Sequence, residues 1–330
     1  MSRIHEALER AGKEKSQELD APRQQTEHVH QAQSDPLSVD NLVPSAIDGL
    51  QPHQRAAHGS IPGQYLRFED LLKQCATPRW QLDPNTIVFS ESHIPGFGAE
   101  QFRTLRSRLY QIRDTSNMKR LLVTSAIPGE GKTLVATNLA QAITLERDRK
   151  VLLIDGDLRG AKLHLPLGAP LSPGLSEFLR SEVAEGEIIQ HGQKGNLCFV
   201  AAGSRVNNAS ELLSNGRLQK FLDRIAPLFD WVILDSPPCL PVSDASVLAS
   251  FVEGVLLVVR AGSTPLTLTQ KARKELQKRN VVGVVLNAVK KDEAHGTYGY
   301  PGYGYPRDDS ERSGPSRTSV GGSAPVGVSL

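Results

Sequence analysis

Short, nearly continuous apolar runs recur between residues 119 and 290, and stretches with helical spacing separate them. The runs at 121–124, 151–154, 197–200, 231–234, 255–259 and 281–286 are rich in Leu, Val and Ile and predict strands. Continuous rather than alternating apolarity suits strands whose sheet carries helices on both faces. The stretches 132–146, 175–180, 210–225, 243–249 and 266–279 predict helices. One more helix, 99–112, precedes the first strand. It sets Phe102, Leu105 and Leu109 on one stripe and Arg103, Arg106 and Arg108 elsewhere. This alternation predicts an α/β fold built on a doubly wound, mostly parallel sheet.

The flanks follow other patterns. Residues 1–15 predict a short amphipathic helix with Ile4, Leu8 and Ala11 on one face. Residues 16–95 read as a mostly flexible linker. Its first part is rich in Gln, His, Ser and Pro, and short ordered pieces are expected near Leu71-Leu72 and Ile87-Val88-Phe89. The folded domain is expected over 96–290. The remainder, 291–330, is Gly, Ser, Pro, Tyr and charge, and predicts a disordered tail.

Composition narrows the picture only modestly. The 330-residue chain carries a net charge of +2, so its bulk charge does not call for nucleic acid. Cys75, Cys198 and Cys239 are too scattered for a zinc site or a secreted disulfide framework, which fits a reducing cytosol. No apolar run reaches membrane-span length and no signal peptide is evident. A cytoplasmic protein is expected, with any membrane link made through a partner.

Chemistry concentrates at the ends of three predicted strands. After the first comes Ser125-Ala126-Ile127-Pro128-Gly129-Glu130-Gly131-Lys132-Thr133-Leu134, a strand, phosphate loop and helix of the nucleotide-triphosphatase kind. Gly129 and Gly131 let backbone N–H groups approach phosphate oxygens, and Lys132 brings a charge to the β- and γ-phosphates. Thr133 offers a hydroxyl to Mg²⁺, and the helix N-terminus points at the same anion. Residues 128–134 are therefore the expected ATP cradle, with Ala126 where the motif commonly opens on Gly. The second strand ends in Asp155-Gly156-Asp157-Leu158-Arg159, and another ends in Asp235-Ser236-Pro237-Pro238. Ligands on such sheets sit beyond the carboxyl ends of the strands, so all three carboxylates are expected to face the phosphate loop. Asp235 suits the Mg²⁺ shell, whereas Asp155 or Asp157 either accepts a proton from an attacking hydroxyl or shares the metal. Asn287, ending the 281–286 strand, is placed to meet adenine.

With those residues in hand, 95–306 resembles the bacterial protein-tyrosine kinases of exopolysaccharide and capsule export. The loop 126–133, Asp155 to Arg159 and Asp235-Ser236-Pro237 are similar to that family's Walker A, A′ and B motifs. Glu100-x-x-Arg103-x-x-Arg106 matches its ring-forming helix motif, and Pro173-Gly174-Leu175-Ser176 and Glu211-Leu212-Leu213-Ser214 also look like family segments. The resemblance implies an ATP- and Mg²⁺-dependent tyrosine autokinase with a P-loop kinase domain over 96–290. Lys132, Asp155 and Asp157 would be catalytic, and Thr133, Asp155, Asp157 and Asp235 would surround the metal. It also implies autophosphorylation at Tyr298, Tyr300, Tyr303 and Tyr305, a Gly- and Pro-spaced cluster that can extend into an active site. The implied partners are further copies in a ring, a separate membrane activator or chain-length regulator that recruits the protein to the inner face of the membrane, and a cognate tyrosine phosphatase. A ParA/MinD-type ATPase switch is the competing reading. Its signature Lys position is Ile127 here, which departs from that pattern. A nucleotide-binding scaffold whose tail only docks a partner is the third.

Overall fold

The computed structural model describes residues 67–89, 97–192, 196–289 and 327–329. The stretch 1–15, the linker up to 66 and the tyrosine cluster 298–305 lie outside the described residues. The strands are β1 (Arg120–Ser125), β2 (Val151–Asp155), β3 (Ile189–His191), β4 (Leu197–Val200), β5 (Trp231–Asp235), β6 (Gly254–Arg260), β7 (Val281–Asn287) and β8 (Gly327–Ser329). They form one sheet in the order β3-β4-β2-β5-β1-β6-β7-β8. The pairs from β4 to β7 are all parallel, and only β3 and β8 run antiparallel to their neighbours. The doubly wound parallel sheet expected from the apolar runs is the observed one.

Alternate residues of the central strands enter two different cores. Leu122, Leu152 and Leu234 join one, while Leu121, Leu153 and Ile233 join the other. Helices Phe97–Ser116 and Lys132–Thr144 supply Phe102, Leu105, Leu109 and Leu139 to the second core, whereas Arg217–Ile225 gives Leu218, Phe221 and Leu222 to the first. Both strand faces are therefore dry, and each fully buried Leu or Ile contributes ~1.5–3 kcal/mol of burial free energy.

Two elements depart from the pattern reading and one extends it. The continuous helix predicted over 210–225 is two helices, Ala209–Leu213 and Arg217–Ile225. Gly216 breaks it at φ +80°, and the Asn215 side-chain Oδ1 accepts the Arg217 N–H at 2.9 Å. The segment 67–89, where only short ordered pieces are expected near Leu71-Leu72 and Ile87-Val88-Phe89, holds a seven-residue helix, Phe68–Gln74, over the first of them, with Phe68 and Leu71 buried, and Ile87 is 1 % exposed. It is tied to the body by Asn138, whose amide accepts from Val88 N–H and donates to Thr86 O, each at 2.8 Å. Within the tail, the backbone of β8 lines the β7 edge, where the pattern predicts no strand.

Candidate active site

The strand order puts β5 between β2 and β1, with Val123 opposite Asp235 on one side and Asp155 opposite Asp235 on the other. The carboxyl ends of these three strands therefore open into one crevice. The phosphate loop leaves β1 there and hands over to helix Lys132–Thr144, with Gly131 at its cap in the left-handed conformation, φ +92°. That backbone turns the first N–H groups of the helix toward the crevice, the arrangement that binds anions.

All five predicted catalytic and metal residues converge in this crevice. The Thr133 hydroxyl donates to Asp235 Oδ2 at 2.6 Å. Lys132 Nζ lies 3.8 Å from Asp157 Oδ2. Asp155 is 1 % exposed, and its two oxygens accept the Asp157 and Leu163 N–H groups at 3.1 Å each. Asp157 also takes the Gly160 N–H at 2.9 Å, so its loop is folded around its own carboxylate. Burial, reinforced by the negative charge of Asp235, pushes the Asp155 carboxyl well above the usual carboxylate range. Asp235 is raised too, again chiefly by burial, with Lys132 and the Thr133 hydroxyl acting in the opposite sense. Asp235 Oδ1 is buried with no hydrogen-bond partner among the described residues. An orphaned carboxylate oxygen beside a threonine hydroxyl is a hard-oxygen donor set of the kind Mg²⁺ prefers. Among the described residues no three His, Cys, Asp or Glu side chains group as a metal cage.

The loop itself is braced from the far side of the sheet. Glu130, only 2 % exposed, turns inward: Oε2 accepts the Ile127 N–H at 2.8 Å and Oε1 accepts the Thr264 hydroxyl at 2.7 Å. Arg260, at the end of β6, donates to Gly129 O at 3.1 Å. Asn287, at the end of β7, donates its amide to Glu130 O at 2.8 Å and accepts the Ala288 N–H at 2.9 Å. The structure thus brings Asn287 to the phosphate loop itself. Thr264 and Arg260 escaped sequence reasoning, because no motif marks them and only the fold carries them to the loop.

A second buried charge pair fixes the loop after β2. Arg159 grips Asp244 with two bonds, Nε to Oδ2 at 2.7 Å and Nη2 to Oδ1 at 3.1 Å, and also donates to Asn207 O at 2.7 Å. Asp244 is fully buried and accepts a further bond from the Ser210 hydroxyl. The Arg of the 155–159 motif is therefore an anchor, and its carboxylate partner carried no sequence signal.

On helix Phe97–Ser116, the three residues of the predicted interface motif behave differently. Glu100 pairs with Arg103 at the surface. Arg106 instead reaches inward, donating to Ala142 O at 2.6 Å and lying 3.0 Å from Glu146. Among the described residues no helix is long and apolar enough to cross a membrane.

The chain is similar to several known proteins. A family model described as an AAA domain matches residues 118–264. The tyrosine-protein kinase YwqD of Bacillus subtilis is 32% identical over 224 residues, covering 67% of this chain and 93% of YwqD. The tyrosine-protein kinase etk of Escherichia coli is 36% identical over 203 residues, covering 61% of this chain but 28% of that longer protein. The solved kinase domain of Escherichia coli ETK superposes with a TM-score of 0.56 at 35% identity, covering 63% of this chain and 80% of that domain.

Proposed function

The chain belongs to the family of bacterial tyrosine-protein kinases, and on that premise we propose that it is an ATP-dependent tyrosine autokinase serving exopolysaccharide or capsule export. The observation that carries the reading is the meeting of Lys132, Thr133, Asp155, Asp157 and Asp235 at one sheet edge.

Each residue has work there that its surroundings allow. The first N–H groups of helix Lys132–Thr144 and the Lys132 ammonium hold the phosphates and offset charge on the γ-phosphoryl group as it transfers. The Asp157 carboxylate, beside Lys132, keeps that side chain aimed into the crevice. Thr133 and Asp235 would hold Mg²⁺, with Asp157 bordering the same space; when bound, the ion supplies positive charge between the phosphates. Asp155 accepts the proton of the incoming tyrosine hydroxyl, which reaches the site protonated because a phenol has a pKa near ~10. Asn287 and the β6–helix turn at Thr264 border the loop on the side where adenine is expected.

The acceptors are Tyr298, Tyr300, Tyr303 and Tyr305, presented by another copy in a ring. Each phosphate adds about −1.5 to −2 charges to the tail, and that repulsion loosens the ring. Exposed Glu100 and Arg103 are the side chains free to exchange their mutual pairing for a neighbour's, whereas Arg106 is held within its own chain. A separate membrane activator and a tyrosine phosphatase complete the cycle. The decisive experiment is incubation with γ-labelled ATP and Mg²⁺, followed by peptide mapping. Label on the 298–305 peptide, abolished by Lys132→Met, is the expected result. Released phosphate with unlabelled protein would instead mark an ATPase switch.

A further inference from the structure

The pole of the sheet opposite the phosphate loop carries a second cleft. It has a volume of about 360 Å³ and lies at the amino ends of β1 and β6, lined among others by Arg113, Lys119, Arg120, Asp223, Pro227 and Glu253. The length of β1, six residues at ~3.3 Å each, separates it from the crevice by about 20 Å.

The charges in this cleft do not cancel. Glu253 is consumed by three donors: the Lys119 and Arg120 N–H groups on Oε2 and Arg120 Nε on Oε1 at 2.7 Å. Asp223 Oδ1 takes Arg120 Nη1 at 3.0 Å and Gln219 Nε2 at 2.7 Å. The neighbouring Asp230 is bound by Arg149 Nη1 at 3.2 Å and the Lys150 N–H at 2.9 Å. The lining thus carries three cations against two carboxylates, and because Arg120 bonds both Asp223 and Glu253, Arg113 and Lys119 are left without a direct ion pair among the described residues. Arg113 stacks on Trp231, its guanidinium carbon 5.3 Å from the ring centroid, and its Nη1 is buried with no hydrogen-bond partner. The Lys119 ammonium has no ion-pair partner among the described residues. Burial first, and then the positive charge of Arg113, hold its pKa below that of an ordinary lysine despite Asp230 and Glu253. Two half-buried cations that repel each other, neither in direct contact with a carboxylate among the described residues, leave the lining with an excess positive charge that suits an oxyanion. A guanidinium fork beside an ammonium matches tetrahedral phosphate oxygens. The cleft also has room for a group attached to that phosphate.

We propose that this cleft binds a phosphate group through the Arg113 guanidinium and the Lys119 ammonium. The two sources of that chemistry are free phosphate and a phosphorylated aromatic side chain. The bland alternative is that Arg113, in the last turn of helix Phe97–Ser116, only complements the helix dipole.

The test uses the full chain carrying Lys132→Met, which disables the phosphate loop. Its thermal unfolding is followed against inorganic phosphate and, separately, phenyl phosphate. Both anions are expected to raise the melting temperature saturably. Lys119→Gln should weaken that response about tenfold, the loss for one charge-assisted contact, and Lys119→Arg should retain it. The Lys119 backbone N–H still holds Glu253 in the Gln variant, and removing one of two repelling charges should leave its melting temperature without anion no lower than the parent's. Tighter binding of phenyl phosphate assigns the site to a phosphorylated aromatic side chain, and equal binding assigns it to free phosphate. No response to either anion, or an equal response in Lys119→Gln, overturns the proposal.

Discussion

Gly131→Ala tests how the phosphate loop is held. Gly131 has φ +92°, and a Cβ added there would stand 2.0 Å from Asn287 Nδ2. Two costs follow. A non-glycine residue in the left-handed region costs about 1–2 kcal/mol. Displacing the Asn287 amide breaks its 2.8 Å bond to Glu130 O, costing about 1 kcal/mol more. The expected loss is therefore about 2–3 kcal/mol. Asn287→Ala alone forfeits the same hydrogen bond, about 1 kcal/mol, but opens the space that the new Cβ needs. The double variant should thus lose no more than Gly131→Ala does, about 2–3 kcal/mol rather than the additive ~3–4 kcal/mol. Urea unfolding of the four proteins, with unchanged m-values, measures the cycle without relying on activity. Additivity within about 0.3 kcal/mol would refute the reasoning, since it would mean that Asn287 does not press on the loop.

Two further outcomes follow from buried charges. Burial alone would raise the Glu177 carboxyl, but bonds from Ser204 and the Gly174 N–H, the latter at 2.8 Å, outweigh it and lower its pKa to about 2 from 4.5. A depressed native pKa contributes stability that is complete above the unfolded value and fades as pH falls from about 4.5 to about 2. At most about 3 kcal/mol is at stake, and Glu177→Gln should flatten the stability-versus-pH curve across that window. Arg159→Ala strands the fully buried Asp244 carboxylate and should cost about 3 kcal/mol. Adding Asp244→Ala should recover part of it, and a loss below about 1 kcal/mol for Arg159→Ala in chemical denaturation would contradict the anchor assignment.

The parallel sheet was legible because both faces of β1, β2, β5 and β6 are buried, which turns each strand into an unbroken apolar run. β3 was not, because Ile189-Gln190-His191 is too short and too polar to show a period. The phosphate loop and the strand-end aspartates were readable because their chemistry sits in contiguous residues. The brace was hidden for the opposite reason: Thr264 and Glu130 stand 134 positions apart, and only β6 lying next to β1 makes them neighbours. Asp244 looked like an ordinary start to a short helix until the fold set it against Arg159. Arg106 read as a surface arginine beside Arg103, although the helical stripe alone does not say that Ala142 O lies within its reach.

The tie made by Asn138 sets where a working fragment of this protein can begin. Its fully buried amide sits on the same helix that opens with Lys132, and Thr86 and Val88 satisfy it. Trimming the chain back to the motif-bearing portion would strip those partners away and lay bare the apolar surface now sealed by Phe68, Leu71 and Ile87. The catalytic half thus wears its upstream strap as part of its own hull, and any expression boundary belongs ahead of residue 67.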